Sequence, residues 1–396
     1  MKLHFQNPPF SFEFLRILGE ATSGGADINE CFATAARIKE GDFEGWHQAW
    51  NQTAERIHRI ASDCLARGHT VSAREAFLRA SNYYRCAEFF LHMEIGVTDP
   101  RALSTYEKSV TCFQQAMKLL PFPGEEVKIP YEETTLPGYF CQVDNSGKAR
   151  PTLLVHGGYD STMEEQYFET VPAALQRGYN CLTFEGPGQG RLIRRHNLPF
   201  RPDWEKVVMP VADYALTRPE VDPARLVLEG RSLGGYLAPR AAAFEHRLAA
   251  CVAIDGLFSL LPDQFAALVD RSHPVSEEHV TAGLEQAMRH NPSMRWAVCQ
   301  GMWTMQAKSL ADFGQQSARY TLEGVAGQVT CPTLVCDAEQ DHFFSGRPQR
   351  LYEALRCPKT YLRFTAEDAA EEHCHAGAAF LLNQRVFDWL DETLIV

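Results

Sequence analysis

The spacing of apolar residues in the first third of the chain predicts helices. Apolar side chains recur at steps of three and four residues, which places them on one buried helix face. One such series is Trp46, Trp50, Ile57, Ala61 and Cys64, and a second is Ala73, Phe77, Ala80, Tyr84 and Phe89. Asp99 followed by Pro100 is typical of a helix N-cap and first helical position, so a third helix is expected there. Residues 1–122 are therefore predicted to form an all-helical N-terminal domain.

The apolar pattern changes after the turn-forming segment 121–124, which we interpret as a domain boundary. Residues 127–131 and 139–143 alternate between apolar and polar side chains, as an antiparallel pair of strands does. Short apolar runs that are typical of buried parallel strands follow at 152–156, 180–184, 225–229, 249–254, 333–337 and 360–364. Helical patterns such as 163–177 and 204–217 separate these runs. The alternation predicts an α/β domain over 123–396 with a mostly parallel, doubly wound sheet.

A long segment, 258–327, separates the sixth predicted strand from the seventh. It carries the apolar side chains Met294, Trp296, Met302, Trp303 and Met305. Such a stripe is typical of helix packing, and part of it can also line a pocket. We therefore predict a helical lid insert here and name Trp303 as a candidate substrate-binding residue.

Composition and charge narrow the class of partner. The chain has 396 residues, a hydrophobic content of 45% and a formal net charge of −12 at pH 7. The negative charge argues against nucleic acid or an anionic membrane as the partner. We expect no signal peptide, because the first residues lack a continuous apolar stretch, and no membrane span, because no apolar run approaches about 18 residues. The 12 cysteines are scattered without paired spacing, so a reduced cytoplasmic protein is expected.

One motif carries the strongest chemical signal. An apolar run, 226–229, leads into Gly230-Arg231-Ser232-Leu233-Gly234, and an Ala-rich helical segment follows. Strand, sharp turn and helix in this order are typical of a nucleophile elbow, in which a serine lies on a strained turn at the top of a parallel sheet. We therefore predict that Ser232 is a catalytic nucleophile.

A serine nucleophile needs a base, and the base needs an acid that holds its ring. In α/β-hydrolases the three follow in the order serine, acid, histidine. Asp341 comes after the strand at 333–337, and Asp255, after the sixth strand, is the alternative acid. His373 is the preferred base and His375 the alternative, since His373 lies nearer the end of the last strand. Adjacent histidines lack chelating spacing, so no metal site is predicted.

The tetrahedral intermediate needs two backbone N–H groups that face its oxyanion. One is expected from Leu233, directly after the serine, and the other from Gly158 or Tyr159 in the loop after the strand at 152–156. The glycine-rich segment 185–190 does not fit a phosphate-binding loop, because no Lys-Ser or Lys-Thr follows it. It is predicted to line the mouth of the site, where Glu185 either contacts substrate or holds the loop in place.

Several segments together resemble one branch of the α/β-hydrolases. They are His-Gly-Gly-Tyr-Asp-Ser-Thr at 156–162, Glu-Gly-Pro-Gly-Gln-Gly at 185–190 and Glu-Glu-His-Cys at 371–374. The branch includes 2,6-dihydroxypseudooxynicotine hydrolase and the fungal hydrolases that shorten pigment polyketides. Residues 73–90 are similar to the helical N-terminal domain of these enzymes, so the resemblance covers nearly the whole chain.

The resemblance implies what the chain does. Members of this branch cleave a carbon–carbon bond next to an aryl or β-diketo carbonyl, and others cleave esters. Carried over residue by residue, it assigns the nucleophile to Ser232, the acid to Asp341 and the base to His373, and Arg231 is a candidate substrate contact. The expected protein is a homodimeric, cofactor-free hydrolase of a small acyl-aromatic, β-diketone or polyketide-like substrate. An esterase, a lactonase or an acyltransferase with the same triad is the alternative.

Overall fold

The central element of the protein, described here from a computed structural model over residues 3–261 and 277–394, is one eight-stranded sheet. In chain order the strands are β1 (Gly124–Tyr131), β2 (Thr134–Cys141), β3 (Arg150–His156), β4 (Asn180–Phe184), β5 (Val221–Arg231), β6 (Ala250–Ile254), β7 (Thr333–Ala338) and β8 (Lys359–Phe364). Their spatial order is β1-β2-β4-β3-β5-β6-β7-β8. The β1–β2 and β2–β4 pairs are antiparallel, and all other neighbours are parallel. The predicted doubly wound, mostly parallel sheet is therefore present.

Five helices precede the sheet: α1 (Pro8–Gly19), α2 (Ile28–Ala35), α3 (Phe43–Ala66), α4 (Thr70–Glu88) and α5 (Pro100–Met117). The side chains of Asn7, Asp27, Asp42 and Asp99 cap the first N–H groups of four of them. Two tryptophans fasten α3 to α4: Trp46 Nε1 donates to the Cys86 carbonyl at 2.8 Å, and the Trp50 ring lies 5.5 Å from that of Tyr83.

The remaining helices surround the sheet. They are α6 (Met163–Glu169), α7 (Val171–Gln176), α8 (Gly190–His196), α9 (Glu205–Leu216), α10 (Gly234–Ala242), α11 (Glu277–His290), α12 (Pro292–Thr304), α13 (Leu310–Ser317), α14 (Arg347–Ala354) and α15 (Ala379–Thr393). Alternate strand residues face opposite sides of the sheet. Leu153 belongs to the apolar core that the N-terminal helices share with α6, α7 and α15, whereas Leu154 belongs to the core that includes α9 and α10. Helices α6, α7 and α15 contact the strands on the first side, and the N-terminal helices pack against α6 from outside.

Several elements differ from their predicted extents: β1 begins at Gly124 and β5 covers Val221–Arg231, and two further elements differ more. The second strand covers Thr134–Cys141 instead of 139–143, because its pairing with β1 begins at a tight turn between Tyr131 and Thr134. The single helix predicted over 163–177 is two helices, α6 and α7. Thr170 leaves the helical conformation between them, and Pro172 lacks the N–H that a continuous helix would use there.

The predicted lid insert, 258–327, contains α11, α12 and α13, and residues 262–276 of it lie outside the described part of the chain. The predicted division at residue 122 falls between the end of α5 at Met117 and the start of β1 at Gly124. Among the described helices, none combines the length and apolar character that a membrane span requires.

Candidate active site

Ser232 lies on a strained turn between β5 and α10. Its φ angle is 60°, in the left-handed region that most side chains avoid. The turn is tight enough to need small residues: a Cβ on Gly230 would lie 2.1 Å from the Gly234 carbonyl oxygen, and a Cβ on Gly234 would lie 2.9 Å from that of Gly157. The sharp reversal at the carboxyl end of a parallel strand presents the Ser232 hydroxyl to a cavity.

The structure brings His373 between Ser232 and Asp341. His373 Nε2 lies 2.9 Å from Ser232 Oγ, and His373 Nδ1 lies 2.8 Å from Asp341 Oδ2. Asp341 is held in the loop after β7, where the other oxygen of its carboxylate accepts the backbone N–H groups of Phe343 and Phe344 at 2.7 and 3.0 Å. The serine, the imidazole and the carboxylate therefore form one continuous hydrogen-bonded chain.

Asp255 supplies a second carboxylate to the same imidazole nitrogen. Its Oδ2 lies 2.9 Å from His373 Nδ1 and also accepts the backbone N–H of Cys374. Asp255 follows β6 with a φ angle of 53° and is fully buried. Burial alone would raise the pKa of this carboxyl, but His375 and His373 outweigh burial and lower the pKa to about 2. Both predicted acids thus contact the same nitrogen of His373.

The two carboxylates control the protonation of His373. Burial alone would lower the pKa of this imidazole, but Asp341, together with Asp255, raises the pKa well above its usual value. A histidine must be neutral at Nε2 to accept a proton from a serine. The geometry therefore favours a base that becomes competent at a higher pH than an isolated histidine.

His375, the alternative base, lies behind the site. Its Nδ1 donates to the Ala370 carbonyl at 3.0 Å, and its Nε2 lies 3.5 Å from Asp255 Oδ1. Burial lowers the pKa of the ring, which contacts Phe364 at a centroid distance of 4.1 Å. His375 thus lies behind Asp255 without a hydrogen bond to it, and it makes no described contact with Ser232.

A group of potential metal ligands overlaps the hydrogen-bonded chain. Ligand atoms of Asp255, His373 and Cys374 lie within 4.8 Å of one another. Both nitrogens of His373 are already engaged, by Ser232 on one side and by the carboxylates on the other. Burial raises the pKa of the Cys374 thiol to about 12, so the thiolate that a metal would need is disfavoured. We therefore interpret these residues as parts of the acid–base site.

The two segments that are predicted to donate N–H groups to the oxyanion lie side by side. One contains Leu233, and the other is the loop with Gly158 and Tyr159. A Cβ on Gly158 would be 2.6 Å from the Leu233 nitrogen, so the loop after β3 runs directly along the turn that holds Ser232. The Gly158 N–H donates to Ser161 Oγ at 3.2 Å. Of the two predicted donors in this loop, Tyr159 is therefore the one whose N–H is not engaged by that hydroxyl.

Ser232 and His373 open into a cavity of about 1170 Å³. One wall comes from α1, another from α12 and α13, and a third from the loops after β7 and β8. Many of the lining side chains are apolar, and they include Phe89, Tyr159, Phe258, Met294, Trp296 and Phe343. This volume suits a molecule of several rings, and the apolar surface suits one with little charge.

Arg231 lines the cavity but is engaged in ion pairs. Its Nη2 donates to Glu229 Oε1 at 2.9 Å and to Thr170 Oγ1 at 3.0 Å, and its Nε lies 3.3 Å from Glu169 Oε2. Only 4% of the residue is exposed. The guanidinium therefore braces the end of β5, directly before the nucleophile, against the end of α6.

Glu185 and Trp303 lie away from the described cavity lining. Glu185 accepts the backbone N–H groups of Met163 and Arg191 at 3.1 and 2.7 Å, so it holds its loop in place, which is one of its two predicted roles. Trp303 stacks on the His92 ring at a centroid distance of 3.8 Å, where it helps to fasten α12 to the N-terminal helices. Trp296, seven residues earlier on α12, is the tryptophan that faces the cavity.

Residues of α1 that were not among the predicted site residues also line the site. Phe12 lies with its ring 5.9 Å from that of His373, and Glu13 and Arg16 also line the cavity. The signal was present as charged residues spaced three or four apart within an otherwise apolar helix, PPFSFEFLRILGEA at 8–21. From the sequence alone, the side of α1 that carries these charged residues could equally have faced solvent.

Comparisons with known proteins agree with this geometry. A model of the Alpha/beta hydrolase family matches residues 152–387, and a model described as Esterase FrsA-like matches residues 27–268. "Hydrolase acrC" of Aspergillus aculeatus is 36% identical over 97% of this chain and 96% of its own length. The "20-hydroxy-prefusarin hydrolase FUS2" of Gibberella moniliformis is 34% identical over 99% of this chain and 98% of its own length.

Solved structures share the architecture. The crystal structure of 2,6-dihydroxy-pseudo-oxynicotine hydrolase superposes with a TM-score of 0.75, at 23% identity and over 96% of each chain. A structural similarity at this sequence identity establishes the fold. Common ancestry is shown by the more similar relatives and by the family models. The predicted α/β-hydrolase fold and the predicted resemblance to the fungal hydrolases are both confirmed. The chain belongs to the alpha/beta hydrolase family of enzymes.

Proposed function

We propose that this enzyme is a cofactor-free serine hydrolase that cleaves a carbon–carbon bond next to a ketone in an acyl-aromatic, β-diketone or polyketide-like small molecule. Ser232 is the nucleophile, His373 the base and Asp341 the acid. The observation that carries the proposal is the chain of hydrogen bonds, 2.9 Å from Ser232 Oγ to His373 Nε2 and 2.8 Å from His373 Nδ1 to Asp341, at the wall of a large, mainly apolar cavity.

The first half of the reaction makes an acyl-enzyme. His373 Nε2 takes the hydroxyl proton while Ser232 Oγ bonds to the ketone carbon, and the carbonyl electrons move onto its oxygen. The N–H groups of Leu233 and Tyr159 stabilise that oxyanion. When the intermediate collapses, the carbon–carbon bond breaks and the leaving carbon takes the proton from His373 Nε2. A neighbouring carbonyl or aromatic ring is needed to hold the electron pair of the leaving carbanion as an enolate or its equivalent.

The second half releases the acid. His373 takes a proton from water, whose oxygen attacks the acyl carbon, and the proton returns to Ser232 Oγ as the ester bond breaks. The products are a carboxylic acid and the protonated leaving fragment, and the enzyme returns to its starting state. The wall formed by α1, α12 and α13 would limit water around the leaving carbanion.

The second candidate function is hydrolysis or transfer of an ester or lactone by the same three residues. The match to a model described as Esterase FrsA-like favours it, as does the ordinary reactivity of an acyl-enzyme. An alcohol or a carbon nucleophile in place of water would make the enzyme an acyltransferase or a cyclase. The oxygen leaving group of an ester needs no carbanion stabilisation, which is the chemical difference between the two candidates.

The test is product analysis with matched substrates. An aryl β-diketone and the corresponding aryl ester are each incubated with the wild-type enzyme and with Ser232→Ala, and the products are identified by mass spectrometry. Release of the aryl acid and the methyl ketone from the diketone by the wild type alone supports carbon–carbon cleavage. Cleavage of the ester alone would overturn it in favour of the second candidate.

Two further expectations accompany this proposal. A cytoplasmic location and a homodimer stay predictions from composition and from resemblance, respectively. Size-exclusion chromatography with light scattering, compared with the mass of 44.6 kDa for one chain, tests the second of them.

A further inference from the structure

Helix α1 presents one continuous face to the cavity. Its lining residues are separated by three, four or seven positions and continue into the turn after the helix: Pro9, Phe12, Glu13, Arg16, Gly19 and Glu20. Residues with this spacing share one side of a helix. The first helix of the chain therefore adds polar groups to a site whose other walls are mainly apolar.

The guanidinium groups beside this face are engaged by carboxylates. Arg16 donates to both oxygens of Glu165 at 2.7 and 2.6 Å, and its Nη1 donates to Asp160 Oδ2 at 2.6 Å and to Glu13 Oε1 at 3.1 Å. Arg85 Nη1 lies 3.2 Å from Glu165 Oε1. The positive charges of Arg16 and Arg85 are thus already neutralised by the negative charges of Asp160 and Glu165. Glu13 and Glu20 are two further carboxyl groups beside them.

Glu13 and Glu20 keep buried oxygens without hydrogen bonds. Within the described part of the chain, Glu13 Oε2 has no hydrogen-bond partner. The protonated Glu20 carboxyl can donate to Glu165, which leaves its other oxygen without a partner. Glu13 and Glu20 are only 3% and 5% exposed, and both line the cavity. Burying an unsatisfied polar oxygen is unfavourable, so these positions favour a ligand that supplies the missing bonds.

Resting on the proposed function, we propose that Glu13 and Glu20 form a subsite that binds a hydroxyl group or an amide N–H of the substrate while its ketone lies at Ser232. A group that donates a hydrogen bond complements free carboxyl oxygens. Arg85 Nη1 lies 3.9 Å from Glu13 Oε2, and Arg85 Nη2 lies 3.6 Å from Glu20 Oε1, so an ammonium group there would meet an existing cation. The subsite therefore selects a neutral donor.

The protonation of the two carboxyls agrees with a neutral ligand. Burial raises the pKa of Glu13 to about 7, against the lowering effect of Arg16 and Arg85. Burial also raises the pKa of Glu20 well above its usual value. A neutral carboxyl both accepts and donates hydrogen bonds, which matches a hydroxyl or an amide better than it matches a cation.

The subsite and the reacting groups line the same cavity. Helix α1 also reaches the base, because the Phe12 ring lies 5.9 Å from that of His373. One substrate molecule can therefore contact the subsite and Ser232 together, and the length of the spacer between its two groups is what the binding experiment below determines. This arrangement would set which of several carbonyls in a polyketide-like molecule reaches the nucleophile.

Binding of matched ketones tests the subsite without relying on turnover. The probes are phenyl alkyl ketones with a hydroxyl at the third, fourth or fifth carbon from the carbonyl, the corresponding compounds without the hydroxyl, and those with an amine instead. Calorimetry with the Ser232→Ala enzyme measures the dissociation constants. We expect the hydroxyl to tighten binding by about tenfold at one chain length, as a buried hydrogen bond of about 1.5 kcal/mol would. Equal binding with and without the hydroxyl at every length, or tighter binding of the amine, would overturn the proposal.

Substitutions of Glu13 and Glu20 test whether these residues cause the tighter binding of the hydroxyl probe. In Glu13→Met and Glu20→Met the advantage of the hydroxyl should disappear, whereas Glu13→Gln and Glu20→Gln should keep most of it. Gln315→Met, on the exposed rim of the cavity, is the matched control and should keep all of it. Retention of the advantage in both methionine variants would place the subsite elsewhere. A failure of ketone hydrolysis, by contrast, leaves these binding ratios unchanged, so the two proposals fail separately.

Discussion

Two carboxylates share one nitrogen of His373. Asp341 and Asp255 lie 2.8 and 2.9 Å from His373 Nδ1, and one N–H cannot point fully at both. Asp341 also accepts two backbone N–H groups, and Asp255 accepts one and faces His375. We infer that Asp341 orients the ring and that Asp255 adds to the negative charge that stabilises the imidazolium.

Replacing Asp255 should move the pH profile. A raised pKa of His373 means that the base is protonated, and therefore inactive, up to a higher pH than an isolated histidine. Asp255→Asn removes one cause of that rise, so the acidic limb of kcat/KM should move to lower pH. Asp341→Asn should instead lower kcat, by about 10⁴-fold if it acts as a triad aspartate does. A profile that stays in place in Asp255→Asn would show that this carboxylate does not act on the base.

Replacing the nucleophile should nearly abolish turnover. Ser232→Ala removes the atom that His373 activates, and loss of one member of a triad commonly costs about 10⁴-fold or more in kcat. The fall in kcat is measured by steady-state hydrolysis of the substrate that product analysis identifies. The same assay on Ser104→Ala, an identical change at an exposed position of α5 outside the cavity lining, provides the control for handling and folding. Loss of less than tenfold in Ser232→Ala would refute the assignment of the nucleophile.

The sequence predicted those residues whose roles follow from local signals. Ser232 stands in a Gly-x-Ser-x-Gly turn, and Asp341 and His373 follow the ends of predicted strands, so the topology alone brings them to one edge. Glu13 carries no such signal, because its neighbours in space come from distant parts of the chain. Trp303 is the predicted candidate of α12, but local periodicity does not show which tryptophan of this helix reaches the cavity, since Trp296 and Trp303 both stack on residues that follow α4.

At the level of elements, α1 packs closely on the loop that holds His373. A Cβ on Gly19 would lie 2.9 Å from the nitrogen and 3.1 Å from the Cα of Gly377. Both atoms belong to the backbone, so neither can move aside as a flexible side chain would. The absence of a side chain at Gly19 thus sets how closely the helix approaches the loop.

A methyl group at Gly19 should therefore separate the two elements. We expect Gly19→Ala to lower the free energy of unfolding by about 1–3 kcal/mol, as overpacking does, and to reduce turnover. Gly314→Ala is the matched control, because Gly314 also lies in a helix and its Cβ would meet nothing within 4 Å. There the same change should stabilise the protein by about 0.5–1 kcal/mol. Equal urea midpoints for the two variants would contradict the close packing of α1.

The extents of elements were predicted less well than their existence, for a physical reason. The apolar spacing of 163–177 suits one helix, and Pro172 alone did not reveal the break at Thr170. Thr170 Oγ1 donates to Glu229 Oε1 at 2.9 Å, so the interruption places a hydroxyl against β5. Such a contact across the fold has no counterpart in local periodicity.

For the whole molecule, a buried ion pair joins the N-terminal helices to the α/β layer. Arg194, on α8, donates to both oxygens of Glu88, on α4, at 3.0 and 2.7 Å. His92 Nε2 lies 2.7 Å from the same carboxylate, and the His92 ring stacks on Trp303. Although burial opposes it, Arg194 together with His92 lowers the pKa of Glu88 to about 2.

Removing this carboxylate should weaken the molecule in a pH-dependent way. Glu88→Gln leaves Arg194 buried without its counter-ion, and we expect a loss of about 3–5 kcal/mol in the free energy of unfolding at pH 7. A carboxyl whose folded pKa lies below its usual 4.5 stabilises the folded state above that pH and loses this effect as the pH falls towards 2. The difference between wild type and variant in urea unfolding should therefore shrink over that interval.

An exposed pair between the same two parts of the chain provides the control. Arg195 Nη2 lies 3.2 Å from Glu107 Oε1, and their side chains are 40% and 45% exposed. Because solvent screens such a pair, Glu107→Gln should change the free energy of unfolding by less than about 1 kcal/mol. A loss in Glu88→Gln no larger than this would mean that the buried pair does not hold the two parts together.

The contact between Gly19 and Gly377 has a consequence for biosynthesis. The two residues are far apart along the chain, and His373 lies just before the second of them. Joining them closes a very long loop, so their contact is strongly non-local. A nascent chain can fold α1 and its neighbouring helices as they emerge, but the base and the closed cavity form only after Gly377 has been made. The early helices must therefore wait, already folded, for a partner that is made much later in synthesis.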